Sequence, residues 1–289
     1  MPEALAIYTG VVLVIFGATV GSFLNVVIAR LPQGLSIVTP RSRCPRCLKQ
    51  IRWYDNAPVV SFFVLRGRCR DCGLPISWRY PFIEALTGLM ALLLWVRFGL
   101  SLELAVHFVF TAALIVVTFI DLDQRIIPNE ISLPGIVLGF ACSFLFAGKW
   151  IDSLIGLLVG GGMLLGVSLL YSAIRGKEGM GMGDVKLLAM LGAWLGWKAL
   201  LFITLFASVQ GIAVAVGLWI FGVKLKPPVP EEMEEADEEK EKKIVGETNV
   251  EDAQPTFFGA AIPFGPFLSI AGIEYLFLAP WFDTLLYGA

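Results

Sequence analysis

The amino-acid sequence predicts an all-α polytopic membrane protein, and three observations carry that prediction. Apolar residues make up 57% of the chain and mean hydropathy is +0.77, while only 16% of residues are charged, against roughly 25% in soluble domains. The apolar residues fall into about eight runs, most of them near the roughly 17–25 residues that cross a ~30 Å hydrocarbon core. The charges are segregated: segment 30–80 holds ten Lys and Arg against Asp55 and Asp71, and segment 224–252 holds eleven Asp and Glu against five Lys. The net charge of −2 hides both blocks. A basic block in a soluble chain suggests nucleic acid. In a membrane chain it sets topology instead, so lipid is an expected partner and nucleic acid is not.

The runs lie near 4–29, 81–98, 102–120, 131–148, 152–174, 184–197, 198–222 and 259–281. The sixth is short and interrupted by glycine. The first lacks a basic leading region and passes into Asn25, Arg30 and Pro32 without an Ala-x-Ala site, so it is expected to stay as a span rather than be cleaved as a signal. Lys and Arg in short loops favour the cytoplasmic side. That places loop 30–80 in the cytoplasm and the N-terminus outside. Counting onward, loops 121–130, 175–183 and 223–258 are cytoplasmic and both termini external. The expected parts are a first span (1–29), a cytoplasmic module (30–80) and a membrane core (81–289) carrying an acidic linker (224–257). The linker opens with Pro227, Pro228 and Pro230 and continues as a Glu/Lys run, too poor in apolar residues to fold alone.

The 30–80 module is too small to bury a core without a staple. It carries Cys44-Pro45-Arg46-Cys47 and Cys69-Arg70-Asp71-Cys72, two C-x-x-C pairs spaced slightly wider than the usual structural-zinc pattern. Four thiolates would close a tetrahedral shell around Zn²⁺ and leave no position for water, so the metal would fold the module rather than catalyse. The cytoplasm disfavours disulfides. A zinc ribbon is the expectation. Cys142 stands alone in an apolar run and is expected to be packing.

Two aspartates stand where apolar runs meet polar chain: Asp121 before Arg125, Pro128 and Asn129, and Asp184 at the end of Gly181-Met182-Gly183-Asp184. A carboxylate at the edge of hydrocarbon is costly and is a functional candidate by default. Both motifs fall on the cytoplasmic side of the topology, where two carboxylates that share a proton can perform acid–base hydrolysis without a metal. Asp123 competes with Asp121 but projects from another side of the helix. Gly181 and Gly183 would let a peptide substrate approach the backbone. Lys186 reads as a headgroup anchor. Ser22, Asn25, His107, Thr118 and Gln210 are expected to hydrogen-bond between helices. His107 is the single histidine, which excludes an HExxH zinc site. No Gly-Lys-Ser/Thr loop supports an ATP-driven pump.

These residues resemble the prepilin peptidase family, the type IV leader peptidases among the GxGD intramembrane aspartyl proteases. Gly181-Met182-Gly183-Asp184 is similar to their GxGD signature, and Asp121 followed by Pro128-Asn129 to its partner motif. The likeness extends to Gly21-Ser22-Phe23-Leu24-Asn25, Trp53-Tyr54-Asp55-Asn56, Arg79-Tyr80-Pro81, Lys186-Leu187-Leu188-Ala189 and Gly192-Ala193-Trp194-Leu195-Gly196. The acidic insert at 227–255 departs from the pattern. The resemblance implies a bacterial inner-membrane enzyme that cuts the basic leader from type IV prepilins or type II secretion pseudopilins. Because the chain has the large first loop, the resemblance also implies N-methylation of the new terminus with S-adenosylmethionine, although no local motif marks where that donor binds. Two other readings are an ion-coupled carrier, which needs mid-span carboxylates and repeat symmetry, and a scaffold docking a cytoplasmic partner through its zinc ribbon. The aspartates lie at span edges and the two halves look unalike.

Overall fold

The computed structural model describes residues 3–44, 46–146, 149–175, 181–221 and 262–287; the acidic linker lies outside them. Among the described residues the long elements are all helices: α1 (Glu3–Arg30), α3 (Arg79–Phe98), α4 (Leu102–Gln124), α5 (Asn129–Ser143), α6 (Lys149–Arg175), α7 (Met182–Leu195), α8 (Trp197–Ile220) and α9 (Gly265–Tyr287), with a short α2 (Val60–Val64) in the first loop. Each of the eight apolar runs therefore contributes a helix among the described residues. Six of the helices, α1, α3, α4, α6, α8 and α9, are long and apolar enough to cross a membrane, which makes this a multi-pass membrane protein.

The other two differ from the expected spans in length. α5 has 15 residues and α7 has 14. At 1.5 Å per residue they reach about 22 and 21 Å, short of the ~30 Å core. α7 is nevertheless deeply enclosed, burying Val185 and every residue from Leu187 to Ala193. The fourth run ends at Ser143 rather than 148. The last begins at Gly265 rather than 259, where Pro263 and Pro266 bracket its first residue, and a proline in the first turn suits a helix start.

α4 sits between two apolar clusters. On one side Ala112, Ile115, Val116 and Ile120 meet Leu24 and Ile28 of α1 and Ile83 of α3. On the other, Phe110, Leu114 and Val117 meet Leu188 and Leu191 of α7, Phe202 of α8 and Leu268 of α9. A helix covered on two sides must be apolar over most of its circumference.

Between helices in lipid, close backbone approach and hydrogen bonds do the holding. A Cβ on Gly156 of α6 would collide with the Gly192 carbonyl of α7, and one on Gly192 with the Gly156 carbonyl. Ser153 Oγ donates to the Ala193 carbonyl at 2.6 Å, and Trp194 Nε1 to the Gly135 carbonyl of α5 at 2.7 Å. Asn25 donates to the Tyr80 carbonyl at 3.1 Å and Gln210 to Glu274 at 2.7 Å, both between helices. Thr118 and His107 instead bond the carbonyls of Leu114 and Glu103, four residues earlier in their own helix. Threonine commonly turns back in this way. His107 also stacks flat on Phe98, with centroids 4.6 Å apart.

Candidate active site and cysteine cluster

The interhelical contacts bring the ends of α1 and α4 and the starts of α3, α5, α7 and α9 to one side of the molecule. Asp121 occupies the last turn of α4, whose end is capped by Arg125 at φ 56°, its N–H bonded to the Asp121 carbonyl. Asp184 occupies the first turn of α7, where Gly181 is the N-cap. A helix N-terminus favours a carboxylate there. Both motifs meet around Ile127: Gly183, next to half-buried Asp184, packs against the Ile127 side chain, and so does Gly265, which also abuts the Asp121 carboxylate.

Asp121 and its competitor differ sharply. Asp121 is only 4% exposed. Asp123 has a side chain 41% exposed and pairs with Arg79 at 2.6 Å. Gly265, the first residue of α9, directs its backbone N–H at the Asp121 carboxylate, and the Arg125 charge also bears on it. Oδ2 of Asp121 still has no hydrogen-bond partner of ordinary geometry among the described residues. Leaving a buried acceptor unpartnered costs about 1–3 kcal/mol, more for a charged group, and such exceptions concentrate where chemistry occurs.

Small residues frame this carboxylate. A Cβ on Gly265 would lie 2.5 Å from Asp121 Oδ2 and 3.0 Å from Ile127 Cδ1, while one on Gly183 would lie 3.0 Å from Ile127 Cβ. Gly183 is thus kept small by packing inside the site. Gly181 is exposed, and a Cβ there meets nothing closer than 4.0 Å. Lys186 of α7 donates to Asn129 Oδ1 of α5 at 2.7 Å, linking the two aspartate-bearing segments rather than simply reaching for headgroups. Gly265 carries no chemistry-bearing side chain, and its one mark in the sequence is the Pro263-Phe264-Gly265-Pro266 string at a helix start. Cys142 is partly buried and stands apart from the other cysteines.

Cys44, Cys47, Cys69 and Cys72 do converge. Their sulfurs all lie within 4.8 Å of one another, Cys44 and Cys72 at 3.9 Å. Tetrahedral ligation at about 2.3 Å per Zn–S bond requires sulfur separations of about 3.8 Å, so the donor set fits such an ion. Two matching knuckles build it. The N–H of Cys44 bonds the Lys49 carbonyl and that of Cys69 the Leu74 carbonyl; Leu48 and Gly73 bond back to Cys44 and Cys69. Bridges Arg43–Gln50 and Arg68–Pro75 close the pair. The Cys47 backbone N–H, opposed by burial, pulls the Cys44 thiol down to about 7. Cys72, despite the Leu74 N–H that favours its thiolate, is pushed up to about 11 by burial and the adjoining thiols. Four touching sulfurs cannot all ionise without a cation between them. Nearby, Arg70 grips Asp55 through two bonds of 2.8 and 2.7 Å, which holds the Asp55 carboxyl below its usual range.

A carboxylate pair at one end of a helical membrane bundle, with a four-cysteine module on the same side, defines a polytopic membrane protein with the parts of an aspartyl hydrolase. Residues 15–98 match the Bacterial Peptidase A24 N-terminal domain, and residues 108–216 match the Type IV leader peptidase family. A "Prepilin leader peptidase/N-methyltransferase" of Myxococcus xanthus (strain DK1622) is 37% identical, covering 96% of this chain and 92% of that protein. Proteins of the same name from Pseudomonas putida and Aeromonas hydrophila are 35% and 34% identical; each alignment covers 89% of this chain, and 86% and 87% of the respective relative. The chain belongs to the type IV leader peptidase family. No solved structure matches it.

Proposed function

We propose that this chain is a bifunctional enzyme of the bacterial inner membrane that cleaves the leader of type IV prepilins or type II secretion pseudopilins and then N-methylates the new terminus. The observation that carries the cleavage reading is the packing of the Gly183-Asp184 turn and of Gly265 around Ile127, beside a buried Asp121 whose Oδ2 has no hydrogen-bond partner among the described residues. One carboxylate, ionised, takes a proton from water as its oxygen attacks the scissile carbonyl. The other, protonated, donates to the carbonyl oxygen. Collapse of the tetrahedral carbon breaks the C–N bond, and a carboxyl proton passes to the departing amine. Two carboxylates acting on one scissile bond cannot both ionise easily, so in this reading they share a proton and titrate as a pair. Gly181 is the open edge along which the extended leader reaches the pair.

The basic 30–80 loop supports a cytoplasmic position for the module and both aspartates. A prepilin with a basic leader and an apolar mature helix then sits with its scissile bond at their depth. Zn²⁺ on the four cysteines serves folding, being closed to substrate. S-adenosylmethionine supplies an electrophilic methyl group for the second activity.

The test is to incubate the zinc-loaded protein in liposomes with a prepilin and weigh the product by mass spectrometry. The expected product lacks the leader and, when the methyl donor is added, gains one methyl at its N-terminus. Uncut prepilin would overturn the proposal.

A further inference from the structure

The methyl donor needs a site that the new N-terminus can reach. One large cavity, about 520 Å³, opens beside His107 and Asp152. His107 and Asp121 lie on the same helix about 21 Å apart at 1.5 Å per residue, so this cavity faces the far side of the bundle. Another, about 440 Å³, lies between the four-cysteine module and the adjoining ends of α1 and α3. Both volumes suit a small-molecule ligand, but only the second lies on the side of the aspartates. Its rim is tied to them: Tyr80 and Glu84 of α3 line it, and Arg79, heading the same helix, pairs with Asp123 next to the catalytic turn.

We propose that the cavity between the four-cysteine module and the ends of α1 and α3 is the S-adenosylmethionine site, with Glu84 facing the ligand's positive charge. The proposal rests on the methyltransferase reading above. That ligand combines a sulfonium, an ammonium, a carboxylate and an adenine ring, and the cavity offers an anion, two arginines and an apolar wall to meet its positive charge, its carboxylate and its purine. Asp55 and Asp71 are already neutralised by Arg70 and Lys49. Glu84 is half-buried and makes no ion pair among the described residues. It accepts the Val59 N–H at 2.7 Å, and Ser22 lines the same cavity. Its charge is therefore oriented but not cancelled.

The orientation is maintained against strain. Val59 is β-branched yet sits at φ 60°, ψ −51°, a region that costs of order 1–3 kcal/mol and persists where the surroundings impose it. That conformation aims the Val59 N–H at Glu84. For the carboxylate end of the ligand, Arg43 and Arg46 line the cavity and form no ion pair among the described residues. Phe62, packed on Trp78 with centroids 4.6 Å apart, and Leu65 and Ile76 give the apolar wall a purine needs. Cys44 and Cys69 line the same cavity, so the metal-folded knuckles double as its outer wall.

Titration calorimetry of the full-length, zinc-loaded protein in detergent, with S-adenosylmethionine as the titrant, tests this. Wild type is expected to bind one equivalent. Glu84→Gln, which keeps an acceptor for Val59, is expected to weaken binding at least tenfold. Ala29→Trp, which fills the cavity from an exposed position on α1, is expected to do the same, while Asp152→Asn in the far cavity leaves the affinity within twofold. Unchanged zinc content and thermal unfolding report that the variants are folded. Binding by wild type that neither cavity variant alters would place the donor elsewhere and overturn the inference alone. No binding to wild type, with or without a prepilin present, would overturn the methyltransferase reading itself.

Discussion

Gly265 lies so close to Asp121 that a single methyl group on its Cα would stand 2.5 Å from the carboxylate's Oδ2. The residues are far apart in sequence, yet the start of α9 closes over the end of α4 and offers its backbone N–H to the acid. Gly265→Ala must displace either Asp121 or the helix start. Misplacement of a reacting group by about 1 Å can lower a rate about 10²-fold. The expected result is a loss of that order in kcat for prepilin cleavage, with the protein still inserted and folded by circular dichroism.

Lys186 and Asn129 hold the two aspartate-bearing segments in register from an exposed position, at 2.7 Å. Such a bond contributes only about 1 kcal/mol to stability, so its value lies in alignment. Lys186→Met and Asn129→Ala are each expected to reduce cleavage about tenfold while thermal unfolding moves little. Because they remove the same contact, the double variant should be no worse than either single one. Additive losses would show that the residues act separately.

The cysteine module should depend on its metal while the membrane helices do not. Chelation, or Cys44→Ser, is expected to open residues 40–75 to protease within a chain whose helical signal persists, since binding free energy at such a site is folding free energy. An unchanged digestion pattern after complete metal removal would contradict this.

The two knuckles also make an internal comparison. Leu48 takes φ 58° where its counterpart Gly73 takes φ 69°. A left-handed conformation costs a residue with a Cβ roughly 1–2 kcal/mol. Leu48→Gly should therefore tighten metal retention against a chelator, and Gly73→Leu should loosen it.

The membrane class, both aspartates and the four cysteines were legible in the sequence because each depends on local pattern: apolar run length, a carboxylate at a run's edge, paired C-x-x-C spacing. The lengths of α5 and α7 were less so. Their apolar runs look like spans, and only burial among other helices shows why α7 can be apolar on every face without reaching across a membrane. Lys186 was read as an anchor because spacing from Asp184 carries no information about Asn129 on another helix. Gly265, beyond the acidic linker, was marked in the sequence only by its flanking prolines, which say nothing of its contact with Asp121. Spacing to Pro128 in the family pattern already favours Asp121 over Asp123; the structure adds that Arg79 pairs with Asp123, while Asp121 is buried with an Oδ2 that has no hydrogen-bond partner among the described residues.

The measurement that tests the central claim most directly is prepilin cleavage in liposomes by wild type, Asp121→Asn, Asp123→Asn and Asp184→Asn, each shown to be folded. The account predicts that the Asp121 and Asp184 variants lose cleavage altogether while Asp123→Asn retains most of it. Cleavage that survives either of the first two substitutions would contradict a paired-carboxylate mechanism.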